Sequence, residues 1–405
     1  MSSVLPTEAP AGWRRLRFDR VVHRSKESGK PNFDPLSVYL EDGVVPRSSR
    51  DDNHNRLGAD MSNYLVVRPG DIVFNKLRTW QGGLGVSRHL GVVSPAYFVC
   101  RPVEDTDSRY YHYLLRSNLY LAELTRLSKF MPPSQFDIAW DDLRTMSVLL
   151  PPLRTQQAIA DYLDTETARI DALITKKRRM IDLLQELTLE KTDHLVWSGG
   201  HPKGQLKRLV PLERKIMYGI VLPGPNVENG ALLIKGGDTK AGRLDPRTLA
   251  RTAFEIEAKY VRSRVKTGDL LFAIRGGVGD VEIAPPSIEG ANITQDVARI
   301  SPKEGIDGRW LLHALRSPSA QRDVTNRITG ATIRGINIEE LERVEVPVPP
   351  PEVQGVLVER LERNHVVSTG AISLLREQLG LLAEHRQALI TAAVTGELEI
   401  PGVAA

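Results

Sequence analysis

The chain has a single cysteine, Cys100, among 405 residues, so no intrachain disulfide can form. No Cys/His cluster has the spacing of a zinc site. No stretch approaches the roughly 18 uninterrupted apolar residues that a membrane span requires. The N-terminal MSSVLPTEAPAGWRR lacks a charged region followed by an apolar run, which argues against a signal peptide. These absences point to the cytoplasm. There is no GxxxxGK[ST] phosphate loop, which argues against an ATP-driven motor. The charge balance is only mildly basic, with a net charge of +4. That balance is compatible with nucleic acid without requiring it. Hydrophobic content of 41% and charged content of 26% are ordinary for a soluble globular protein long enough for several domains.

What the chain does have is an internal echo. Arg68-Pro69-Gly70-Asp71-Ile72-Val73-Phe74 returns 198 residues later as Lys266-Thr267-Gly268-Asp269-Leu270-Leu271-Phe272. Leu143–Leu153 returns at the same offset as Leu341–Pro351, and Leu183-Leu184-Gln185-Glu186 as Leu381-Leu382-Ala383-Glu384. Two copies of one unit imply a pseudo-twofold arrangement and a target with two related parts.

Each copy has a mixed part followed by a helical part. In the first, Tyr64–Val67, Ile72–Phe74, Val92-Val93 and Tyr97–Cys100 read as short strands bounded by Pro, Gly and Asn. Tyr110–Leu127 has apolar residues at helical spacing. Pro151-Pro152 excludes a continuing element. From Arg154 to about Val196 there is neither proline nor glycine, and apolar residues recur at helical intervals. About 40 residues of helix would span roughly 60 Å, longer than an ordinary domain helix and suggestive of a coiled-coil arm. The second copy repeats the plan, with a second arm from Glu352 to about Val394. Ile372, Leu375, Leu379, Leu382, Arg386 and Leu389 alternate steps of three and four, as a coiled-coil seam does. The first arm's seam would be Ile174, Lys177, Ile181, Leu184, Thr188 and Lys191. Neither stripe can be buried alone, so the arms are expected to pair antiparallel, as a rod with a mixed domain at each end. The expected fold class is α+β: two mixed domains over 1–150 and 200–348, and two long helical arms over 151–199 and 349–405.

Catalytic signatures are weak. Arg275-Gly276-Gly277-Val278-Gly279-Asp280 does not fit GxGxxG opening a helix; a turn or close backbone approach is the better reading. Phe130-Met131-Pro132-Pro133-Ser134 faintly resembles the Asn/Asp-Pro-Pro-aromatic motif of amino-methyltransferases but lacks both its ends. Glu257-Ala258-Lys259 has the form of a nuclease motif's tail, yet lies in a charged stretch that reads better as a solvated face. His54 is the only histidine in a polar cluster and reads as an exposed loop residue. Binding chemistry remains. Arg47, Arg50, Asn53, Asn55 and Arg56 crowd one loop with the side chains that pair with guanine and adenine edges. Lys76, Arg78, Trp80 and Gln81 follow a strand, and Lys129 and Gln135 flank a proline turn. Lys235, Arg275, Arg327, Thr332, Arg334 and Asn337 occupy comparable regions of the second copy. Each is equally readable as an ordinary polar surface loop, and composition does not decide.

The chain resembles the specificity subunit of type I restriction-modification systems, HsdS. Leu149–Leu163, LLPPLRTQQAIADYL, resembles that family's PPLxEQxxIAxxL arm start. Arg386–Leu398, RQALITAAVTGEL, resembles its RQxLIxxAVTGxL ending, and Gly330–Asn337 its G-x-T-x-x-x-I-N turn. Arg154 and Thr155 depart from the acidic preference there, and the first copy has Met131-Pro132-Pro133-Ser134 in place of the turn. The resemblance implies two target recognition domains, each reading half of a bipartite double-stranded DNA site, with arms that set the spacer and dock two adenine-N6 methyltransferase subunits. It implies no cofactor in this chain: S-adenosylmethionine belongs to the methyltransferase partner, and ATP and Mg²⁺ to restriction subunits that can join. Two other readings stay open at this level: a coiled-coil adaptor without sequence specificity, and a self-contained nuclease or methyltransferase with unrecognised motifs.

Overall fold

A computed structural model of the chain describes residues 5, 9–40, 42–50, 60–103, 106–131, 135–329 and 335–400. It resolves into two compact units: one contains residues 1–177 and 376–405, the other 178–375. The division falls inside both long helices, so each unit contains one mixed domain and a segment of each arm.

The first unit is built on β1 (Arg14–Arg17), β2 (Val22–Ser25), β3 (Ile72–Asn75), β4 (Leu84–Val86), β5 (Tyr97–Pro102) and β6 (Ser147–Leu150). Strands β2-β5-β3-β4 form an antiparallel sheet in that order. One face meets α1 (Ser108–Arg116) and α2 (Asn118–Leu127) over a core that includes Phe18, Phe74, Tyr110, Leu114 and Leu124. The other face covers a second core of Leu36, Val38, Val67, Val73 and Val99. Alternation along the strands divides the two: Phe74 and Phe98 face the helices, Val73 and Val99 the opposite side. The helical run expected over Tyr110–Leu127 is broken at Ser117, whose hydroxyl accepts the Tyr120 N–H and starts α2. Strand β6 pairs with β1 and leads through Pro151-Pro152 into α3 (Leu153–Trp197), 45 residues long.

The second unit repeats this order with β7 (Lys203–Gln205), β8 (Met217–Tyr218), β9 (Leu270–Ala273), β10 (Val281–Ile283), β11 (Val297–Ile300) and β12 (Glu345–Pro347). Its sheet runs β8-β11-β9-β10. Helices α4 (Gly308–Arg316) and α5 (Pro318–Asn326) cover one face, and α6 (Pro351–Thr395) is again 45 residues long. The 198-residue offset holds at β3/β9 and at the proline boundaries, but becomes 200 at α1/α4, where the second copy carries two extra residues.

Within each unit the arm segments pair antiparallel. In the first, Arg386 donates to Asp171 (3.0 Å) and Lys177 to Gln378 (2.7 Å), so one helix descends in number as the other rises. In the second, the Thr188 and Ser368 hydroxyls meet. Ile174, Ile181, Leu184, Ile372, Leu379, Leu382 and Leu389 are half-buried and Leu375 is buried, whereas Leu173, Leu183, Leu374 and Leu381 on the same helices are exposed. Both helices thus present a coiled-coil stripe, with Lys177, Thr188 and Arg386 as its polar positions. No helix among the described residues is long and apolar enough to cross a membrane.

Candidate nucleic-acid interface

In the first unit, the end of the sheet where β3 leaves and β5 enters gathers cations onto aromatic rings. The Arg24 guanidinium of β2 lies 4.7 Å from the Phe98 ring centroid and 5.3 Å from that of Trp140. Lys76 Nζ lies 4.8 Å from the same Phe98 ring, which meets Trp140 edge-on at 5.7 Å. On the other face of the strand end, the Asn75 amide donates to the Tyr97 hydroxyl (3.4 Å). Burial raises the Tyr97 pKa, and Arg47 and Arg78 are near enough to oppose the rise. Arg50 stacks over Tyr39 at 4.5 Å and pairs with Asp42 at 2.7 Å. Arg24, Arg47, Arg50, Lys76 and Arg78 are thereby brought to one strand end, joined through the adjacent pairs Asn75-Lys76 and Tyr97-Phe98. Phe98 is buried beneath these cations, so what the cluster offers to solvent is the exposed Arg24 and the half-buried Lys76, which suit a phosphate backbone.

The other expected residues of this copy are more scattered. The Trp80 ring packs on Phe136 (4.9 Å) with its Nε1 donating to the Leu77 carbonyl, which anchors the loop. Gln81 lines a cavity of about 460 Å³ with Gly82, Arg116 and Arg386. Lys129 is exposed, 3.7 Å from Asp142. Gln135 pairs through its backbone opposite Met131 in a short antiparallel ladder. Asn53, His54, Asn55 and Arg56 lie outside the described residues.

The second unit uses the same strand end differently. Strand pairing sets Ile216 where the first unit has Arg24, Ala298 where it has Phe98, and Ile274 where it has Lys76. The short helix Ile338–Glu342 puts Ile338 in the place of Trp140. All four aliphatic residues belong to or pack on the domain core. The cation–aromatic cluster of one copy is plain core in the other. The polar surface has moved to the glycine loop after β9. Arg275 is exposed there, and its backbone bridges to Gly335. The Gly236 backbone, next to Lys235, packs against the Arg275 carbonyl so tightly that a Cβ would sit 2.6 Å from it. Gly276 and Gly279 have φ of 69° and 100°, and a Cβ on Gly279 would strike Gln321. Only glycine fits this close approach, as the sequence suggests.

Two of the expected residues also have structural partners, although Asn337 is exposed and Arg327 half-buried. Arg327 donates to Asp323 (2.9 Å) and Glu340 (3.0 Å), and Asn337 caps the helix at Ile338 by accepting the Glu340 N–H (2.8 Å). Both have internal partners that the sequence alone does not reveal. Thr332 and Arg334 lie outside the described residues. Glu257 is also not on a solvated face: it is buried and accepts from Arg264 (2.6 and 2.7 Å) and Asn292 (3.2 Å). The Arg264 hydrogen bonds, foremost, hold its carboxyl below the usual range. An internal ion pair already occupies the carboxylate that the nuclease reading would assign to a metal.

Sequence reading passed over Arg24, Phe98, Trp140 and the aromatic partners Tyr39 and Tyr97. It also passed over Gln156 and Gln354 as structural residues. Gln156 accepts the Asp107 N–H (2.9 Å) and donates to the Pro151 carbonyl (2.8 Å). Gln354 accepts the Asp307 N–H (2.7 Å) and donates to Pro349 (2.8 Å) and Gly305 (3.0 Å). These are the glutamines that follow the two proline boundaries at equal spacing, a signal that was available.

Comparison with known proteins agrees with this architecture. Residues 237–365 match the family described as the type I restriction modification DNA specificity domain. The EcoBI specificity subunit of Escherichia coli is 28% identical over 278 residues, which cover 62% of this chain and 58% of that protein. The match therefore spans less than two thirds of that relative's length. A chain from a structure concerned with complex assembly and conformational transition of the type I R-M system superimposes with a TM-score of 0.77 at 19% identity, covering 97% of this chain and 100% of that one. The HsdS subunit of Thermoanaerobacter tengcongensis gives a TM-score of 0.59 at 19% identity, covering 97% and 99%. At that identity the likeness is one of fold. In the matched specificity domain over residues 237–365, the duplicated plan and the paired arms, the chain is similar to the specificity subunits of type I restriction-modification systems.

Proposed function

We propose that the chain is a non-catalytic reader of a bipartite double-stranded DNA target, each mixed domain binding one half-site while the arms set the spacer and dock two adenine-N6 methyltransferase subunits. Restriction subunits can join that complex. S-adenosylmethionine is then the methyltransferase's cofactor and ATP with Mg²⁺ the restriction subunit's, and the complex works in the cytoplasm. The observation that carries this reading is the exchange at the strand end: Arg24, Lys76, Phe98 and Trp140 against Ile216, Ile274, Ala298 and Ile338, on the same sheet. A shared frame with dissimilar ends is what two unlike half-sites require. Phosphate contacts would supply salt-dependent affinity and loop side chains the choice of bases. The target adenine would leave the stack to reach the partner's active site.

The test is selection from a random DNA pool by the chain in complex with its methyltransferase partner, repeated for Arg24→Ala with Lys76→Ala. The wild type should enrich a two-part sequence. The double variant should bind more weakly and lose preference in one half only, with a salt slope shallower by up to about 1.8 if both cations contact phosphates. Equal loss in both halves, or none, would refute the assignment of that face. Methylation or cleavage by the purified chain alone would favour the enzyme reading, and equal affinity for all DNA the adaptor reading.

A further inference from the structure

Each mixed domain is tied to its own arm by the same joint, made from different residues. In the first unit, Arg109 in the first turn of α1 donates to Asp161 (2.7 Å) and Asp164 (2.9 Å) on α3, and also holds Asp107 (2.9 Å). The Tyr113 hydroxyl donates to Asp164 (2.6 Å), and that of Tyr110 to the Leu149 carbonyl (2.9 Å) just before the proline boundary. In the second unit, Arg309 in the first turn of α4 faces Asp307 (3.4 Å) and Glu362 (3.6 Å), the latter on α6. Trp310 Nε1 donates to the Pro347 carbonyl (3.1 Å) at the matching boundary. Between the copies Asp164 has become Glu362 and Tyr110 Trp310, yet the arginine–carboxylate pair to the arm and the hydrogen bond from the ring to the boundary carbonyl are both kept. The geometry of the joint has been retained rather than the residue types.

Resting on the reading of the chain as a two-part DNA reader, we propose that Arg109–Asp164 and Arg309–Glu362 are positioning pairs. They hold each recognition domain at a fixed angle on its arm and so determine how sharply the complex discriminates spacer length. One base pair moves a half-site by about 3.4 Å along the duplex and about 35° around it. A domain of this size has a radius of gyration of about 15 Å, so its far surface stands ~40 Å from the joint and a swing of roughly 5° carries it about 3.4 Å. A joint that loosens by that angle absorbs the axial step of one base pair and so weakens, without abolishing, the discrimination of spacer length. Single exposed ion pairs add little stability, but the quantity at issue is an angle. The first joint has shorter contacts and an added tyrosine, so it is the stiffer of the two.

The experiment uses the full chain in complex with its methyltransferase subunits and DNA pools that keep the selected half-sites but vary the spacer by single base pairs. The wild type is expected to favour one spacer length. Arg109→Gln should keep both half-site preferences while discrimination against the neighbouring spacers falls about tenfold. Asp164→Asn, nearly isosteric, should do the same and serves if the first variant does not fold. Arg109→Lys should restore part of the discrimination, and Arg309→Gln should have the smaller effect. An unchanged spacer profile in both Arg109→Gln and Asp164→Asn overturns the inference while leaving the two-part reading intact, as does loss of half-site preference along with spacing. A wild-type complex that selects no two-part site overturns the reading itself.

Discussion

Replacing Gln354 with leucine tests the structural account at its most demanding point. The side chain is fully buried, and its amide holds three backbone groups: the Asp307 N–H and the carbonyls of Pro349 and Gly305. Leucine fills a similar volume and satisfies none of them. At about 1–3 kcal/mol for a stranded buried polar group, less the gain from added apolar burial, the expected loss is about 3–5 kcal/mol. Gln156→Leu strands only the Asp107 N–H and the Pro151 carbonyl, so the first copy should lose less, about 2–4 kcal/mol. Asp307 and Asp107 are the N-caps of α4 and α1, so the damage should begin at those helix starts. Hydrogen exchange resolves this locally, which matters because two units need not unfold together. Peptides covering 303–311 in Gln354→Leu should exchange roughly 100-fold faster, with 103–111 unchanged, and the reverse in Gln156→Leu. A loss under about 1 kcal/mol in both variants, or a larger loss for Gln156→Leu, would refute the hydrogen-bond accounting.

Acid should weaken both units through histidines kept neutral. Burial, helped by Arg116, Arg88 and Arg386, lowers the His112 pKa to about 3, and burial with Arg316 lowers that of His313 to about 4. The unfolded chain takes up these protons below about pH 6.5 while the folded chain does not, so stability falls with pH from 6.5 towards 4, by up to about 2 kcal/mol per histidine at pH 5. Urea midpoints of the His112→Asn, His313→Asn double variant should show a shallower fall over that window; an identical slope would refute it. In the arm stripe, Leu375→Ala should cost about 2–3 kcal/mol, while Leu374→Ala beside it should stay within about 0.5 kcal/mol. Denaturant midpoints decide, and equal costs would sink the stripe assignment.

The arms were the most legible part of the chain, because a periodicity of three and four sustained over forty residues has few alternatives. It separates Leu375 from Leu374 and Leu184 from Leu183, neighbours of identical chemistry with opposite exposure. The strands were legible to within a residue or two, since Pro, Gly and Asn bound them. The site was much less so. Arg24, Lys76, Phe98 and Trp140 are separated by as many as 116 positions and meet only through strand register, which no local pattern encodes. Arg327 and Asn337 also take structural partners that no local pattern shows, Arg327 the Asp323 and Glu340 carboxylates and Asn337 the Glu340 N–H. Glu257 misled for the same reason: its partner Arg264 stands seven residues away, beyond the kink at Tyr260.

The unevenness of the echo follows from what each position owes its surroundings. Gln156 and Gln354 are bound to backbone groups that have no water to turn to, so the spacing from proline boundary to glutamine is retained although the residues around it differ. The strand end carries no such obligation. There Phe98 gives way to Ala298 and Lys76 to Ile274, and the fold is content with either so long as the core stays filled. One consequence bears on recognition. With no stacked cations at its strand end, the second unit presents the exposed Arg275 beside glycines of positive φ. Under the proposed reading, the first half-site meets long cationic side chains seated on rings, the second an exposed arginine on a glycine-rich loop. Gly279→Ala, strained at a φ of 100° and driving a Cβ into Gln321, should therefore weaken the preference for the second half-site and leave the first unchanged in selection from a random DNA pool; an equal loss in both halves would refute it.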